Sequence, residues 1–270
     1  MKNTKTLPYL FSIVSAFCEK NNLRFPTGRG RRPLLDFPAL LTLLIYWQVA
    51  QVKNFKAFYH GPVRVILREF FPRLPEYSAL MRRFPRALGV LQSHFAARKR
   101  SGKYIIDSTP FEVCKMHRHR RYRSMPEAIG RIVCRKVTRM YGFKAHLLTD
   151  IAGNQALRVH FSSGTAHDVN FMENLLRDCT GVGIGDTCYV SSARQKALSE
   201  KGLTFIARRR ANMRVQNSPA EMALLKQRHR IEIFVGKLKR LVGESFSRFR
   251  SWSAAQATIL VGVVAINLGL

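Results

Sequence analysis

The chain is short of acid. Only 16 of its 270 residues are Asp or Glu, against 46 Lys and Arg, a formal net charge of +30. A charge of that size repels itself unless a polyanion neutralises it. Nucleic acid suits, because Lys and Arg release counterions condensed on phosphate. The excess is not a tail on a neutral domain: residues 1–100 hold 18 bases and 4 acids, and the remainder holds 28 and 12. Charge names the partner class and not the task, and a basic RNA-associated protein shares this balance. Cysteine is also scarce. The five (Cys18, Cys114, Cys134, Cys179, Cys188) are odd in number and form no CxxC pair. A disulfide framework is therefore not expected, and with no signal peptide at the start a reducing cytoplasm fits. Cys114, His117, His119 and Cys134 match no zinc-finger spacing. Long apolar runs are missing too. Residues 37–50 are too short to span a bilayer, and residues 254–270 carry Gln256, Thr258 and Asn267. Both read as buried helices, no membrane role is expected, and no internal repeat is visible.

Residues 1–100 read as helical throughout. Leu10, Ile13, Val14 and Phe17 recur at helical spacing between Tyr9 and Asn21. Arg29 to Pro33 is a basic, breaker-rich loop. Helices follow over Phe37–Val52 and Val63–Phe71, separated by the His60-Gly61-Pro62 break. Another runs from Glu76 to about Phe95, with a kink expected at Pro85. The exposed Arg82, Arg83 and Arg86 are compatible with DNA docking, or with a solvated basic face.

The pattern changes near residue 101. Lys103 to Thr109 is a short apolar strand ending in acid. Residues 111–140 read as a long basic insertion. Phe143–Thr149 and Ala156–Phe161 form a hairpin around a Gly-Asn turn. A helix over Asn170–Cys179, short strands at Val182–Ile184 and Leu203–Ala207, and a long final helix complete the set. That helix opens on Ser218-Pro219-Ala220-Glu221, a capping box with proline at the first position, and runs to about Leu241, ending near Gly243. Strands alternating with helices give an α/β layered fold.

In so basic a chain, two acids at strand ends stand out. Asp107 ends Tyr104-Ile-Ile-Asp, and Asp186 ends Gly183-Ile-Gly-Asp. Sites in open α/β sheets form at the carboxyl ends of strands. A carboxylate there is costly unless paired or metal-bound; the plainer roles are helix caps or turns. On the final helix, Arg228, Glu232 and Lys239 lie within roughly 40° of one another at about 100° per residue. The apolar stripe Ile231, Val235, Leu238 and Val242 points roughly 70° away on the same wheel, so the polar edge lies beside the core face. An intrahelical Arg–Glu pair on a solvated face would look the same. Three acids together fit a two-metal phosphoryl-transfer site, for which hard Mg²⁺ prefers oxygen ligands.

These segments resemble the catalytic domain of bacterial DDE insertion-sequence transposases, most closely the insertion-sequence-982 family. The similar pieces are IIDSTPFEVCK, YGFKAHLLTDIAGN, GTAHDVNFMENLL, GDTCYVS and RHRIEIFVGKLKR, with FPRLPEYSALMRRFPRAL in the helical part. The resemblance implies an RNase H-like core over 101–270, preceded by a helical region over 1–100 that helps bind DNA ends. It implies Asp107, Asp186 and Glu232 as the catalytic, metal-binding triad, with Mg²⁺ as cofactor and Mn²⁺ as a substitute. Arg228 and Lys239 fit the spacing of the family's glutamate helix and, with Arg208, Arg209 and Arg210, are expected to contact DNA. Asp168 and His146 are expected in support. DNA is the implied partner, a homodimer the implied synaptic form, and the nucleoid the implied location. Leu225 stands where the broader group has Tyr, and Thr187 and Cys188 where it has Lys and Gly. Those departures fit a catalytically decayed or domesticated DNA-binding relative as well.

Overall fold

The computed structural model describes residues 6–26, 33–95, 100–126, 130–133, 139–152, 154–245 and 249–270. Arg29–Arg32 of the basic loop, Gly153 of the hairpin turn and Cys134 lie outside them. The chain forms two compact units, Met1–His94 with Ser253–Leu270, and Phe95–Trp252.

The first unit is helical. Helix α1 spans Thr6–Lys20. Helix α2 spans Phe37–Val49 and starts where the Asp36 carboxylate accepts the Ala39 N–H at 2.8 Å. The last helix, α10 (Trp252–Asn267), is buried from Ala254 to Ala265 except at the half-buried Gln256. Helices apolar all round belong in a core, and the buried Gln48 Nε2 ties α2 to α10 by donating to the Thr258 carbonyl at 2.7 Å. No helix among the described residues is long and apolar enough to cross a membrane.

The expected break at His60-Gly61-Pro62 is not one. Helix α3 (Phe55–Phe58), capped by Asn54, runs directly into a π-helical turn over Tyr59–Val63 that contains Pro62. The wider turn accommodates a residue that has no N–H and clashes with the carbonyl four back. Helix therefore precedes the expected Val63–Phe71, most of which forms turns. Pro85 starts a helix rather than kinking one. Helices α4 (Tyr77–Met81) and α5 (Phe84–His94) are separate, with Pro85 in the first turn of α5, where its missing N–H costs nothing.

The second unit is a sheet of six strands: β1 (Arg100–Lys115), β2 (Gly130–Val133), β3 (Arg139–Asp150), β4 (Ala156–Ser163), β5 (Cys179–Gly185) and β6 (Leu203–Ala207). The order is β2-β3-β1-β5-β6, and β4 also pairs with β3. β1 is antiparallel to β3 on one side and parallel to β5 on the other, and β5 is parallel to β6. An antiparallel half and a parallel half joined through a central first strand make the α/β RNase H-like core expected of the sequence.

Residues 111–140 are not simply an inserted loop, because β1 continues through Lys115 and β2 lies within the segment. Pro110 disguised this. Glu112 N–H points away from β3 and donates to the Glu244 carbonyl at 3.1 Å. Pro110, two residues earlier, presents its missing N–H to that same open edge, beyond the last β5 pair at Ile105–Ile184. Proline is tolerated there. Gly142 on β3 shows how closely β1 is approached: a Cβ there would lie 1.9 Å from the Phe111 carbonyl oxygen. Gly142→Ala is expected to cost at least about 3 kcal/mol, since backbone rather than a flexible side chain must yield. The exposed Gly89 inside α5 meets nothing within 4 Å. Gly89→Ala should instead stabilise by about 1 kcal/mol. Paired thermal melts check the opposite signs.

Helix α6 (Met172–Leu176) is shorter than the expected 170–179, because Arg177 leaves helical geometry and Asp178 turns left-handed at φ 59°. That releases Cys179 to begin β5 three residues early. Helix α7 covers Ser192–Ser199. The capping box is present: Ser218 accepts from Glu221 N, and the Glu221 carboxylate accepts from Ser218 N at 2.9 Å. The helix comes in two pieces, α8 (Pro219–Leu225) and α9 (His229–Val242), joined by a 3₁₀ turn at Lys226–Arg228. Its buried stripe is Ile231, Phe234 and Leu238, while Val235 and Val242 are half-buried.

Candidate active site

Parallel pairing sets the two aspartates side by side. β5 stops at Gly185, one residue past the Ile184–Ile105 pair, so Asp186 leaves the sheet level with Asp107. Beyond the end of β5 the outer edge of β1 is open. Ser108 N–H, which would otherwise face a strand, donates to the Asp107 carboxylate at 2.8 Å. Asp186 adopts extended backbone and opens the 3₁₀ turn Thr187–Tyr189. Asp186 thus sits where β5 runs out, and Asp107 sits beside that end, mid-way along β1 where its outer edge is no longer paired by β5, the location expected for a site in an open α/β sheet.

Arg228 joins them. Its guanidinium lies 3.2 Å from Asp186 Oδ1 and 3.7 Å from Asp107 Oδ2. One cation serving two anions leaves negative charge uncompensated. Burial pushes the Asp107 carboxyl up to about 6; the Ser108 N–H and Arg228 pull it down, and Asp186 and Asp168 push it further up. A partly desolvated carboxylate with an excess of neighbouring charge is relieved by a cation. Asp107 and Asp186 offer hard oxygen donors that fit a divalent ion. Among the described residues no group of three His, Cys, Asp or Glu side chains converges as a metal cluster.

Glu232 is the expected third acid, and it stands apart. It lies one turn beyond Arg228 on α9, exposed, with no ion pair to Arg228 or to another described residue. Arg228, the last residue of the 3₁₀ turn Lys226–Arg228, reaches the sheet edge, while Glu232, in the first turn of α9, is exposed. Lys239 lies farther along α9, 4.0 Å from Glu244. Arg208 follows β6 immediately, and its N–H bonds the Gly185 carbonyl at 3.2 Å, which brings the start of the 208–210 run to the sheet edge that bears Asp186. Arg208 and Arg210 are exposed. The Arg209 guanidinium instead holds the Val215 carbonyl at 3.2 Å, within its own loop.

Asp168 and His146 come together on a neighbouring segment. Asp168 accepts from Lys144 Nζ at 2.9 Å, and that ammonium also bonds the Ala166 carbonyl. His146 is fully buried, stacked on Phe171 at 4.1 Å, with Nε2 2.7 Å from Ser162 Oγ. Its Nδ1 is 3.9 Å from Asp168, too far for a hydrogen bond. Burial lowers the imidazole to about 4, which keeps it neutral. Lys144 was not anticipated. Its signal in the sequence was a lysine inside an otherwise apolar strand, between Phe143 and Ala145. Tyr189 was missed as well: it is fully buried, its hydroxyl has no hydrogen-bond partner among the described residues, and burial, with the Asp107 charge next, holds its phenol protonated.

The family model described as a transposase DDE domain matches residues 97–252, more than half of the chain and almost the whole second unit. No curated protein matches by sequence. Among solved structures, a piggyBac transposase in a synaptic complex with hairpin DNA is similar in fold. It has a TM-score of 0.53 at 10% identity, over 96% of this chain and 72% of that one. With that family model matched over more than half of its length, on a sheet of RNase H-like order, the chain belongs to the DDE transposase family, enzymes that cut DNA and transfer the cut strand.

Proposed function

We propose that the chain is the transposase of a bacterial insertion sequence resembling the insertion-sequence-982 family, with Asp107, Asp186 and Glu232 as its catalytic triad. The observation that carries this reading is the Asp107–Arg228–Asp186 bridge at the carboxyl end of β5. Mg²⁺ is the proposed cofactor, with Mn²⁺ as a substitute. It would be held by the two aspartates, with Glu232 closing the site once α9 turns it inward. Bound there, a divalent ion lowers the pKa of an attacking water and stabilises the leaving oxygen.

The side chains have separable tasks. Asp107 and Asp186 would hold the ion that positions the scissile phosphate. With an ion held by the carboxylates, Arg228 would be free to turn its donors to the DNA backbone, as the planar fork of arginine favours. Arg208 and Arg210 extend the positive edge, and Lys239 extends it along α9. Asp168 holds Lys144, and the neutral His146 packs behind them. Hydrolysis at the element end leaves a 3′-hydroxyl, which then attacks target DNA. The helical region over 1–100 helps bind element ends, two copies hold two ends in synapsis, and the complex resides on the nucleoid.

The test is cleavage and joining of DNA bearing the ends that flank the gene, with Mg²⁺, with Mn²⁺ and with EDTA. Metal-dependent nicking followed by strand-transfer products is expected. A second reading rests on Leu225, Thr187 and Cys188, which depart from the family pattern. Under that reading the chain binds the same ends tightly and cuts them with neither ion.

A further inference from the structure

The second unit carries a dense positive patch far from the aspartates. Lys115, Arg118, Arg120, Arg121 and Arg123 are all exposed within nine residues. Lys115 is paired with Glu112 at 3.0 Å. The four arginines face no carboxylate among the described residues. A solvated charge run on a loop needs no fixed geometry, yet this one is anchored repeatedly. Met116–Arg121 forms a 3₁₀ segment, and the His119 ring lies flat on Tyr141 at 4.3 Å and 1°. His119 Nδ1 sits 2.7 Å from the Met116 carbonyl. Tyr122 donates its hydroxyl to the Phe249 carbonyl at 3.2 Å, and Met125 is buried. A fixed main chain presenting unpaired arginines suits a phosphate backbone, because little backbone freedom is left to lose on binding.

Their distance from the aspartates is set by one strand. β1 is continuous from Asp107 to Lys115, and eight residues at about 3.3 Å each span about 26 Å. Helix α9 covers the same stretch. It begins beside Arg228, and the segment after it reaches β1 where Glu112 N–H meets the Glu244 carbonyl. Lys237 and Arg240 are exposed on its length. A positive edge therefore leads from the carboxylates to the arginine platform. At about 3.4 Å of rise per base pair, that path is about eight base pairs long.

We propose that Arg118, Arg120, Arg121 and Arg123 form a seat for duplex phosphates about eight base pairs from the cut, on the element side. The proposal rests on the reading that Asp107 and Asp186 mark the cut. The element side is favoured because the element's 3′ end must stay through both hydrolysis and joining, whereas the flank leaves after the first step. A preorganised anchor at a fixed distance serves the duplex that remains.

Fluorescence anisotropy of the full chain in EDTA tests this, with duplexes carrying the element's terminal sequence. The element side is lengthened from about 4 to about 16 base pairs at constant flank. Affinity is expected to step up by roughly 10²-fold near eight base pairs, with the salt slope steepening by about 3. The variant R118Q/R120Q/R121Q/R123Q should remove the step while keeping the wild-type circular dichroism melt. Neutral methylphosphonates placed about eight base pairs in should remove it from the unaltered protein, independently of any folding defect. A smooth length dependence, a step that survives the substitutions, or a step produced by lengthening the flank instead would overturn the proposal. Asp107→Asn in parallel separates the two readings. Cleavage that survives it refutes the carboxylate site, and the length step is judged on binding alone.

Discussion

Asp107→Asn should lower DNA cleavage by at least 10³-fold, roughly, more than the 10–100-fold typical of outer-layer support to a metal site, and should make the metal-free protein more stable. Both effects come from one cause. Burial raises the Asp107 carboxyl to about 6 from an ordinary value of 3.8. The folded state therefore holds a proton that the unfolded chain releases. Between pH 4 and 6, approximately, the unfolded state binds fewer protons than the folded state, so stability falls as pH rises. Above that window the cost is complete, at roughly 3 kcal/mol from 1.36 kcal/mol per unit. Below about pH 4 it vanishes, because both states are protonated. Asparagine carries no charge to desolvate. Its melting temperature in EDTA should exceed the wild type's at pH 7, and the two curves should converge near pH 4. Mg²⁺ at pH 7 should raise the wild-type melt and leave the variant nearly unchanged, since ligand binding stabilises only the state that binds. A variant that melts lower than wild type at pH 7 would mean that Asp107 is a structural residue held by Arg228, and the metal reading would fail.

How much of this was legible in the sequence depended on whether a signal was local. Asp107 and Asp186 were visible because each acid closes a short apolar run, and parallel pairing then places such ends together. The capping box at Ser218–Glu221 was visible because its two hydrogen bonds span only three residues. What escaped was set by partners distant in sequence. Nothing around Pro110 shows that its missing N–H faces an open edge, since the Glu244 carbonyl that marks that edge lies 134 positions later. Lys144 reads as a misplaced charge until Asp168 and the Ala166 carbonyl surround it. The helical wheel is silent for a different reason. It sets Arg228 and Glu232 near one another but carries no information on which of them meets the sheet: Arg228 reaches both aspartates, while Glu232, supplied as a catalytic residue by the resemblance, is exposed.

That separation makes Glu232→Gln the sharpest test of the triad. Glu232 is exposed and unpaired among the described residues, so its loss should leave the melting temperature within about 0.5 kcal/mol of wild type. Gln keeps the volume and the helix propensity of Glu and removes only the charge. DNA affinity in EDTA should not weaken, because the lost charge is negative in a protein that binds a polyanion. If α9 brings this carboxylate to the aspartates when metal and DNA are present, cleavage should nevertheless fall by roughly 10³-fold, an effect of about 4 kcal/mol on the transition state. Asp168→Asn supplies the contrast. It removes the partner of the half-buried Lys144, so it should lower the melt by about 1–3 kcal/mol whatever it does to catalysis. Full activity in Glu232→Gln, with activity lost in Asp168→Asn beyond what its stability explains, would move the third carboxylate of this enzyme from α9 to the segment between β4 and α6.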